Sequence, residues 1–304
     1  MAHAADWIAV DWGTTHLRAW AMGADGAVCH AAQSDAGMGA LARAEFEPAL
    51  IALVEGWLTA GRVTPVLACG MVGSRQGWVE APYRAVPCAP LEPGGFAIVS
   101  CRDPRLTVRV IPGLKQVAPA DVMRGEETQI AGFLACDPAF DGVLCLPGTH
   151  NKWVRLSAGE VVSFQTFMTG EMFALLADHS VLRYSVGTGG WDEQAFGLAL
   201  DDALSRPDRI AARLFSLRAE ALLTGLAPEV ARSRLSGALI GVELAAARPY
   251  WLGQQVTVIG AAGIAGAYAA ALTRQGAAPL VVEGDAMTLA GLTAARHLLQ
   301  ERIP

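Results

Sequence analysis

Nowhere does this 304-residue sequence carry the Gly-x-x-x-x-Gly-Lys-[Ser/Thr] of a P-loop, which disfavours a nucleotide held by that device. Lys and Arg are scattered, with no basic run. A net charge of −6 and a pI near 5.5 argue further against a nucleic-acid-binding surface. The six cysteines (Cys29, Cys69, Cys88, Cys101, Cys136 and Cys145) form no Cys-x-x-Cys pair and have no metal-like His spacing, so buried free thiols in a reducing compartment are expected. The opening Met-Ala-His-Ala-Ala-Asp lacks the basic and apolar regions of a secretory signal, and the expected location is cytoplasmic. Trp251 to Thr273 is uncharged and long enough to span a bilayer. Gly and Ala dominate it, however, and Gln254 and Gln255 sit near one end, so a strand, a glycine turn and a small-residue helix explain it better. No membrane partner is expected. His150 has no Ser or Cys in a nucleophile elbow, so a hydrolytic triad has little support.

What is present begins with Val10-Asp11-Trp12-Gly13-Thr14-Thr15-His16-Leu17-Arg18-Ala19-Trp20. Two β-prone runs, 7–12 and 16–22, flank a Gly-Thr-Thr turn and predict a tight hairpin. Asp11 stands beside backbone and hydroxyl donors, an arrangement suited to a divalent cation and the phosphate oxygens it neutralises. The spacing predicts a third strand over 27–33, a helix over 45–60 and a strand over 64–69 that runs into the glycine-rich loop Gly70–Trp78. Strands follow near 96–100 and 106–111, then a helix over 125–135.

Strand 142–146, the loop Pro147-Gly148-Thr149-His150-Asn151 and strand 152–156 repeat the strand–Gly–Thr–strand pattern in the second half. Gly148 permits close approach of an anion and Thr149 adds a hydroxyl, but this bend has no acidic residue. Helices are predicted over 170–179, 191–204, 209–223, 228–250, 263–274 and 285–300, with strands over 256–259 and 279–282. The loop Gly260-Ala261-Ala262-Gly263 joins a strand to a helix start, where a nucleotide can lie against the backbone. A dinucleotide fold would present similar glycines, but its spacing is G-x-G-x-x-G and it needs more strand–helix units than follow here. Two related α/β lobes with mixed sheets and a cleft between them are the expected architecture, cut at about 1–125 and 126–304.

Phosphoryl transfer to an alcohol also wants a carboxylate to take the hydroxyl proton, and Glu126 and Glu127 begin a helix just ahead of the second bend. Two first-turn acids that merely stabilise a helix dipole are the competing explanation.

These motifs together resemble the 2-keto-3-deoxygalactonate kinase family, within the actin, hexokinase and Hsp70 superfamily. The resembling stretches are Ile8–Trp20, Gly70–Ser74, Val122–Gln129 (Val-Met-Arg-Gly-Glu-Glu-Thr-Gln), Leu146–Val154 (Leu-Pro-Gly-Thr-His-Asn-Lys-Trp-Val) and Met168–Glu171. The resemblance implies two ribonuclease-H-like lobes and ATP- and Mg2+-dependent phosphorylation of the 6-hydroxyl of 2-dehydro-3-deoxy-D-galactonate. It assigns Asp11 to the metal, and Gly13, Thr14, Thr15, Gly148 and Thr149 to the phosphates. Gly260 and Gly263 fall to the adenosine side, and Glu127 or Glu126 to the base, where sugar kinases of the superfamily more commonly have Asp. The substrate carboxylate needs a cation or donors, because a buried unpaired charge is costly. Arg18, Arg75, Arg124 and Lys152 are the candidates, with Ser74 and Thr169 for hydroxyls. A kinase of another sugar or sugar acid on the same fold, a nucleotide-binding regulator and an NAD-dependent oxidoreductase are the rival readings. A homo-oligomer is left open.

Overall fold

The computed structural model describes residues 5–300, so the ends counted in the 1–125 and 126–304 division lie outside the described residues. The chain forms two compact units. The first runs to Phe140, takes back Ser157–Ser163 and resumes from Gly284; the second holds Asp141–Leu156 and Phe164–Glu283.

The first unit contains β1 (Trp7–Trp12), β2 (Leu17–Met22), β3 (Val28–Ser34), α1 (Phe46–Val54), β4 (Thr64–Gly70), β5 (Tyr83–Ala85), β6 (Ala97–Val99), β7 (Leu106–Val110), β8 (Gly113–Gln116), β9 (Asp121–Met123) and α2 (Glu126–Cys136). Its main sheet has the order β3-β2-β1-β4-β7-β6, and β5, β8 and β9 form a small second sheet. β1 pairs antiparallel with β2 and parallel with β4. A central strand covered on both faces reads as a continuous apolar run, and β1 does. Ile8, Val10 and Trp12 join the core with Phe46, while Trp7 and Ala9 pack with Leu292 and Ala295.

The second unit contains β10 (Gly142–Leu146), β11 (Asn151–Ser157), the latter half of β12 (Glu160–Phe167), α3 (Thr169–Ala174), α4 (Glu193–Ser205), α5 (Ile210–Leu223), α6 (Pro228–Ala246), α7 (Arg248–Trp251), β13 (Val256–Gly260), α8 (Ala262–Arg274) and β14 (Leu280–Glu283). Its sheet runs β12-β11-β10-β13-β14. The repeat predicted from two Gly-Thr turns therefore extends to topology. In each sheet an antiparallel three-strand meander is followed by two parallel strands.

The last helix, α9 (Gly284–Gln300), belongs to the first unit, and so does α2. Their backbones touch: a Cβ on Gly132 would stand 1.9 Å from the Met287 carbonyl oxygen, and one on Gly291 would stand 1.9 Å from that of Thr128. This close crossing ties α2 and α9 into the first unit, where a single cut after residue 125 would part them.

Three further differences from the sequence reading have local causes. The helix expected over 45–60 ends at Val54 and tightens into a 3₁₀ turn over Glu55–Trp57 around Gly56. The helix expected over 170–179 widens into a π turn over Leu175–His179. Strand β12 follows a two-residue turn in which Ala158 (φ 51°) and Gly159 (φ 76°) both take left-handed conformations. Asn-Gly or Asp-Gly would have announced such a hairpin; Ala-Gly does not. The stretch weighed as a membrane span is the end of α7, β13 and α8, and among the described residues no helix is long and apolar enough to cross a membrane.

Candidate active site

Asp11 is the penultimate residue of β1 and lies directly opposite Arg18 on β2. Their side chains form an ion pair, and a second guanidinium nitrogen of Arg18 pairs with Asp285 in the first turn of α9. Arg18 is thus engaged by two carboxylates. Burial pushes the Asp11 carboxyl above its ordinary value, and the charge and hydrogen bond of Arg18 oppose that push. The Cys69 thiol of β4 lies 3.8 Å from the other Asp11 oxygen.

The bend between β1 and β2 is Gly13-Thr14-Thr15-His16, and Thr14 and Thr15 are exposed. It is held from behind by the segment after β3. Trp12 Nε1 donates to the Ala36 carbonyl (2.8 Å), Met38 N–H to Gly13 O (3.0 Å) and Gly39 N–H to Thr14 O (2.9 Å). A Cβ on Gly37 would fall 2.2 Å from the Thr15 carbonyl carbon, so only glycine allows this approach.

Glu126 and Glu127 open α2 directly after Gly125, whose φ is 107°. The Glu127 side chain is fully buried and accepts from Gly125 N–H (2.7 Å) and the Thr128 hydroxyl (3.1 Å). Burial, helped by the charge of Glu126, raises its pKa to about 8. Glu126 is half-buried and accepts from Arg124 N–H (3.0 Å). A Cβ on Gly125 would lie 3.4 Å from Gly70 Cα, which puts the start of α2 against the end of β4.

The glycine-rich loop starts at that strand end. Its Arg75 points into solvent, 3.4 Å from Glu80, while Arg43 clasps the loop by donating to the carbonyls of Gly77 (3.2 Å) and Arg75 (2.8 Å). Ser74 and Arg124 are buried. Arg124 Nη2 donates to Ala81 O (2.8 Å), and its guanidinium lies 4.2 Å from the centre of the Tyr83 ring. Three buried polar atoms here, Ser74 Oγ and Arg124 Nε and Nη1, have no hydrogen-bond partner among the described residues.

In the second unit the bend is Pro147-Gly148-Thr149-His150, the same length as the first and also ending Thr-His. Cys145 holds the place that Asp11 holds in β1, so the acid missing from this bend is replaced by a buried thiol. The brace is repeated too. Gly170 stands three residues after the end of β12, as Gly37 does after β3, and its Cβ would lie 2.0 Å from Gly148 O. Glu171 N–H donates to Thr149 O (2.9 Å), and its carboxylate meets His150 Nε2 at 2.7 Å.

A Cβ on Gly148 would meet nothing within 4 Å, so its outer side has room for a ligand. Its N–H is already spent on Asn151 Oδ1 (2.7 Å), which leaves the Thr149 hydroxyl exposed for an anion. Beneath lies Glu243 of α6, 2% exposed, whose carboxylate accepts from Asn151 Nδ2 (2.8 Å), Trp153 Nε1 (2.7 Å) and Tyr268 Oη (2.6 Å). Lys152 is buried within β11 opposite Leu146, and Thr169 begins α3.

Gly260 ends β13 and Gly263 lies exposed in the first turn of α8. Beside Gly263 is a cavity of about 420 Å³ walled by Phe173, Trp191, Ile240 and Ile264, with Ser236 and Asn151 among its polar groups. Its size and mostly apolar walls match small-molecule sites in general.

Several of these residues were not singled out from the sequence. Asp285 carried one signal, an acid at a helix start after a strand. Gly37 and Gly170 share a position three residues past a third strand, visible only once β12 is recognised. Glu243 had none, being one acid in a long helix.

Comparison with known proteins agrees along the whole chain. A protein of Rhizobium meliloti (strain 1021) named a probable 2-dehydro-3-deoxygalactonokinase is 41% identical over 310 residues, covering 98% of this chain and 99% of that one. The 2-dehydro-3-deoxygalactonokinase of Escherichia coli (strain K12) is 35% identical over 296 residues, covering 96% and 98%. The crystal structure of a candidate 2-dehydro-3-deoxygalactonokinase from Sinorhizobium meliloti superposes with a TM-score of 0.88 at 38% identity, over 96% of this chain and 98% of that one. A more distant likeness, TM-score 0.50 at 11% identity, is to the activator of 2-hydroxyisocaproyl-CoA dehydratase from Clostridium difficile, solved with ADPNP, and it reflects fold alone. The family model for 2-keto-3-deoxy-galactonokinase matches residues 11–295, and the chain belongs to that family.

Proposed function

We propose that this chain uses ATP to phosphorylate the 6-hydroxyl of 2-dehydro-3-deoxy-D-galactonate, giving 2-dehydro-3-deoxy-6-phosphogalactonate in the cytoplasmic breakdown of galactonate. The observation that carries the reading is the family match over residues 11–295, which takes in both Gly-Thr bends and the Arg-Gly-Glu-Glu-Thr-Gln segment.

The residues fit the nucleotide. Exposed hydroxyls of Thr14 and Thr15 in one unit, and the open side of Gly148 with Thr149 in the other, are the phosphate-binding groups. The cavity beside Gly263 takes the adenosine, with Phe173, Trp191 and Ile264 against its apolar surface. Among the described residues no cluster of three or more His, Cys, Asp or Glu could hold a metal unaided. That suits Mg2+, which keeps several waters and is commonly held by one or two carboxylates and the phosphates themselves. Asp11 is the carboxylate that would hold its water shell, where the ion would supply charge neutralisation at the phosphate oxygens.

Proton removal from the sugar-acid hydroxyl falls to the glutamates at the start of α2. Glu127 has a basicity near that favoured for a base at neutral pH, with a pKa of about 8, whereas Glu126 is only half-buried. Arg18, tied to Asp11 and Asp285, keeps the Asp11 carboxylate oriented rather than meeting substrate.

The test is ATP consumption across a panel of keto-deoxy sugar acids, with the phosphorylated carbon located by NMR. Turnover on the galactonate-derived acid with phosphate at C6 is expected. Turnover confined to another acid, or none with any, overturns the assignment.

A further inference from the structure

A guanidinium taken out of water demands compensation, and one left without an anion is costly. Arg124 keeps only 9% of its surface exposed. One of its nitrogens donates to the Ala81 carbonyl and its face lies on Tyr83, yet Nε and Nη1 have no hydrogen-bond acceptor. The Glu126 carboxylate accepts from the Arg124 backbone N–H, and neither Nε nor Nη1 gains an acceptor from it. The buried hydroxyl of Ser74, 5% exposed, is unspent as well. The two belong to one locale, because a Cβ on Gly73 would lie 2.8 Å from Arg124 Nη1.

The other candidate cations are placed less well. Arg18 already serves two carboxylates, and the Arg75 side chain is 81% exposed. Lys152 is buried within β11 and already has a partner.

Resting on the function proposed above, we propose that Arg124 and Ser74 bind the carboxylate of the sugar-acid substrate, and that Arg124 is what makes the enzyme select sugar acids over neutral sugars. The carboxylate accepts from Arg124 Nε or Nη1 and from the Ser74 hydroxyl. Tyr83 holds the guanidinium plane, and the Ala81 carbonyl fixes its edge. Arg124 stands immediately before Gly125 and the two glutamates, so binding the acid here sets the other end of the substrate relative to the start of α2.

The test compares wild type with Arg124→Met, Arg124→Lys and Ser74→Ala. Binding of the keto-deoxy acid is measured calorimetrically without ATP, beside an analogue whose carboxylate is reduced to an alcohol. Steady-state KM for ATP and for the acid is measured separately. Arg124→Met is expected to weaken acid binding at least ~30-fold, as loss of a charge-assisted pair does, and Ser74→Ala about fivefold. Arg124→Lys recovers part of the loss. KM for ATP stays within about twofold, and Arg124→Met no longer distinguishes the acid from its neutral analogue. Should Arg124→Met not fold, Arg124→Lys and Ser74→Ala carry the test.

Acid binding within about twofold of wild type in the folded variants overturns the inference, as does an equal loss for acid and neutral analogue. Wild type that binds the acid without phosphorylating it overturns the kinase reading and leaves the carboxylate assignment decided by the binding data alone.

Discussion

Asp11 and Arg18 face each other across the first hairpin as register partners, and their side chains are ion-paired. The arginine therefore fixes the carboxylate beside the Gly-Thr bend, where the phosphates are proposed to bind. Asp11→Asn is expected to lower kcat at least ~100-fold, the scale of losing one strong electrostatic contributor. Near-normal turnover removes Asp11 from that role.

The two ends of the Asp11–Arg18–Asp285 chain differ in worth. Asp285 is 55% exposed, so solvent screens it and Asp285→Asn should cost under ~1 kcal/mol of stability. Arg18→Met leaves the more enclosed Asp11 without its cation and should cost about 1–3 kcal/mol. Urea unfolding of the two variants gives the ordering, and a reversed order contradicts it.

Glu127 gives a pH signature. Its folded pKa of about 8 lies above the ordinary 4.5, so its protonated form is favoured by the fold. The associated stability is fully present below pH 4.5 and is lost as pH rises to about 8. Between pH 5 and pH 8 the wild-type unfolding free energy should fall relative to that of Glu127→Gln, by on the order of a few kcal/mol at the upper end, and its Tm should fall with it. Parallel Tm curves show that the carboxyl is not held protonated. Full activity of the same variant moves the base to Glu126.

Glycines in and behind the bends should separate binding from stability. Gly148→Ala adds a methyl group in open space, so its stability should stay within ~0.5 kcal/mol of wild type while KM for ATP rises about tenfold. Gly37→Ala and Gly170→Ala collide with backbone, at 2.2 Å and 2.0 Å, and should cost ~1–3 kcal/mol together with activity. A Gly148→Ala enzyme with unchanged KM denies that a phosphate approaches there.

Glu243 touches no exposed surface, yet it holds Asn151, which holds the Gly148 amide. Glu243→Gln puts an N–H₂ where one of three donors needs an acceptor, at a cost of ~1–3 kcal/mol. KM for ATP should rise more than KM for the sugar acid. Equal changes in both point to general loosening of the unit.

Much of this architecture could be read beforehand. The apolar runs of β1, β4 and β10 and the Gly-Thr bends are short-range signals, and each falls within a residue or two of its expected place. Asp11, Thr14, Thr15 and Gly148 are where a hairpin rule puts them. Arrangements made by distant segments stayed hidden. Nothing in the sequence says that Asp285 reaches the arginine opposite Asp11, that α9 joins the first unit, or that Arg124 lies on Tyr83 with donors to spare. Those follow from helix crossings and loop packing, which leave no periodicity. The short strands β5, β8 and β9 escaped for the opposite reason: three or four residues are too few to show alternation.

The matched supports behind the two bends bear on how such a site can be moved between proteins. Each bend takes its shape from a segment beyond the third strand, so exchanging residues 13–16 with 147–150 alone would leave each turn pressed against the wrong backing. The transferable piece is the whole meander with its trailing glycine, 7–39 in one half and 142–171 in the other. A chimera built on those limits keeps the curve of the chain; one built on the motif keeps only its letters.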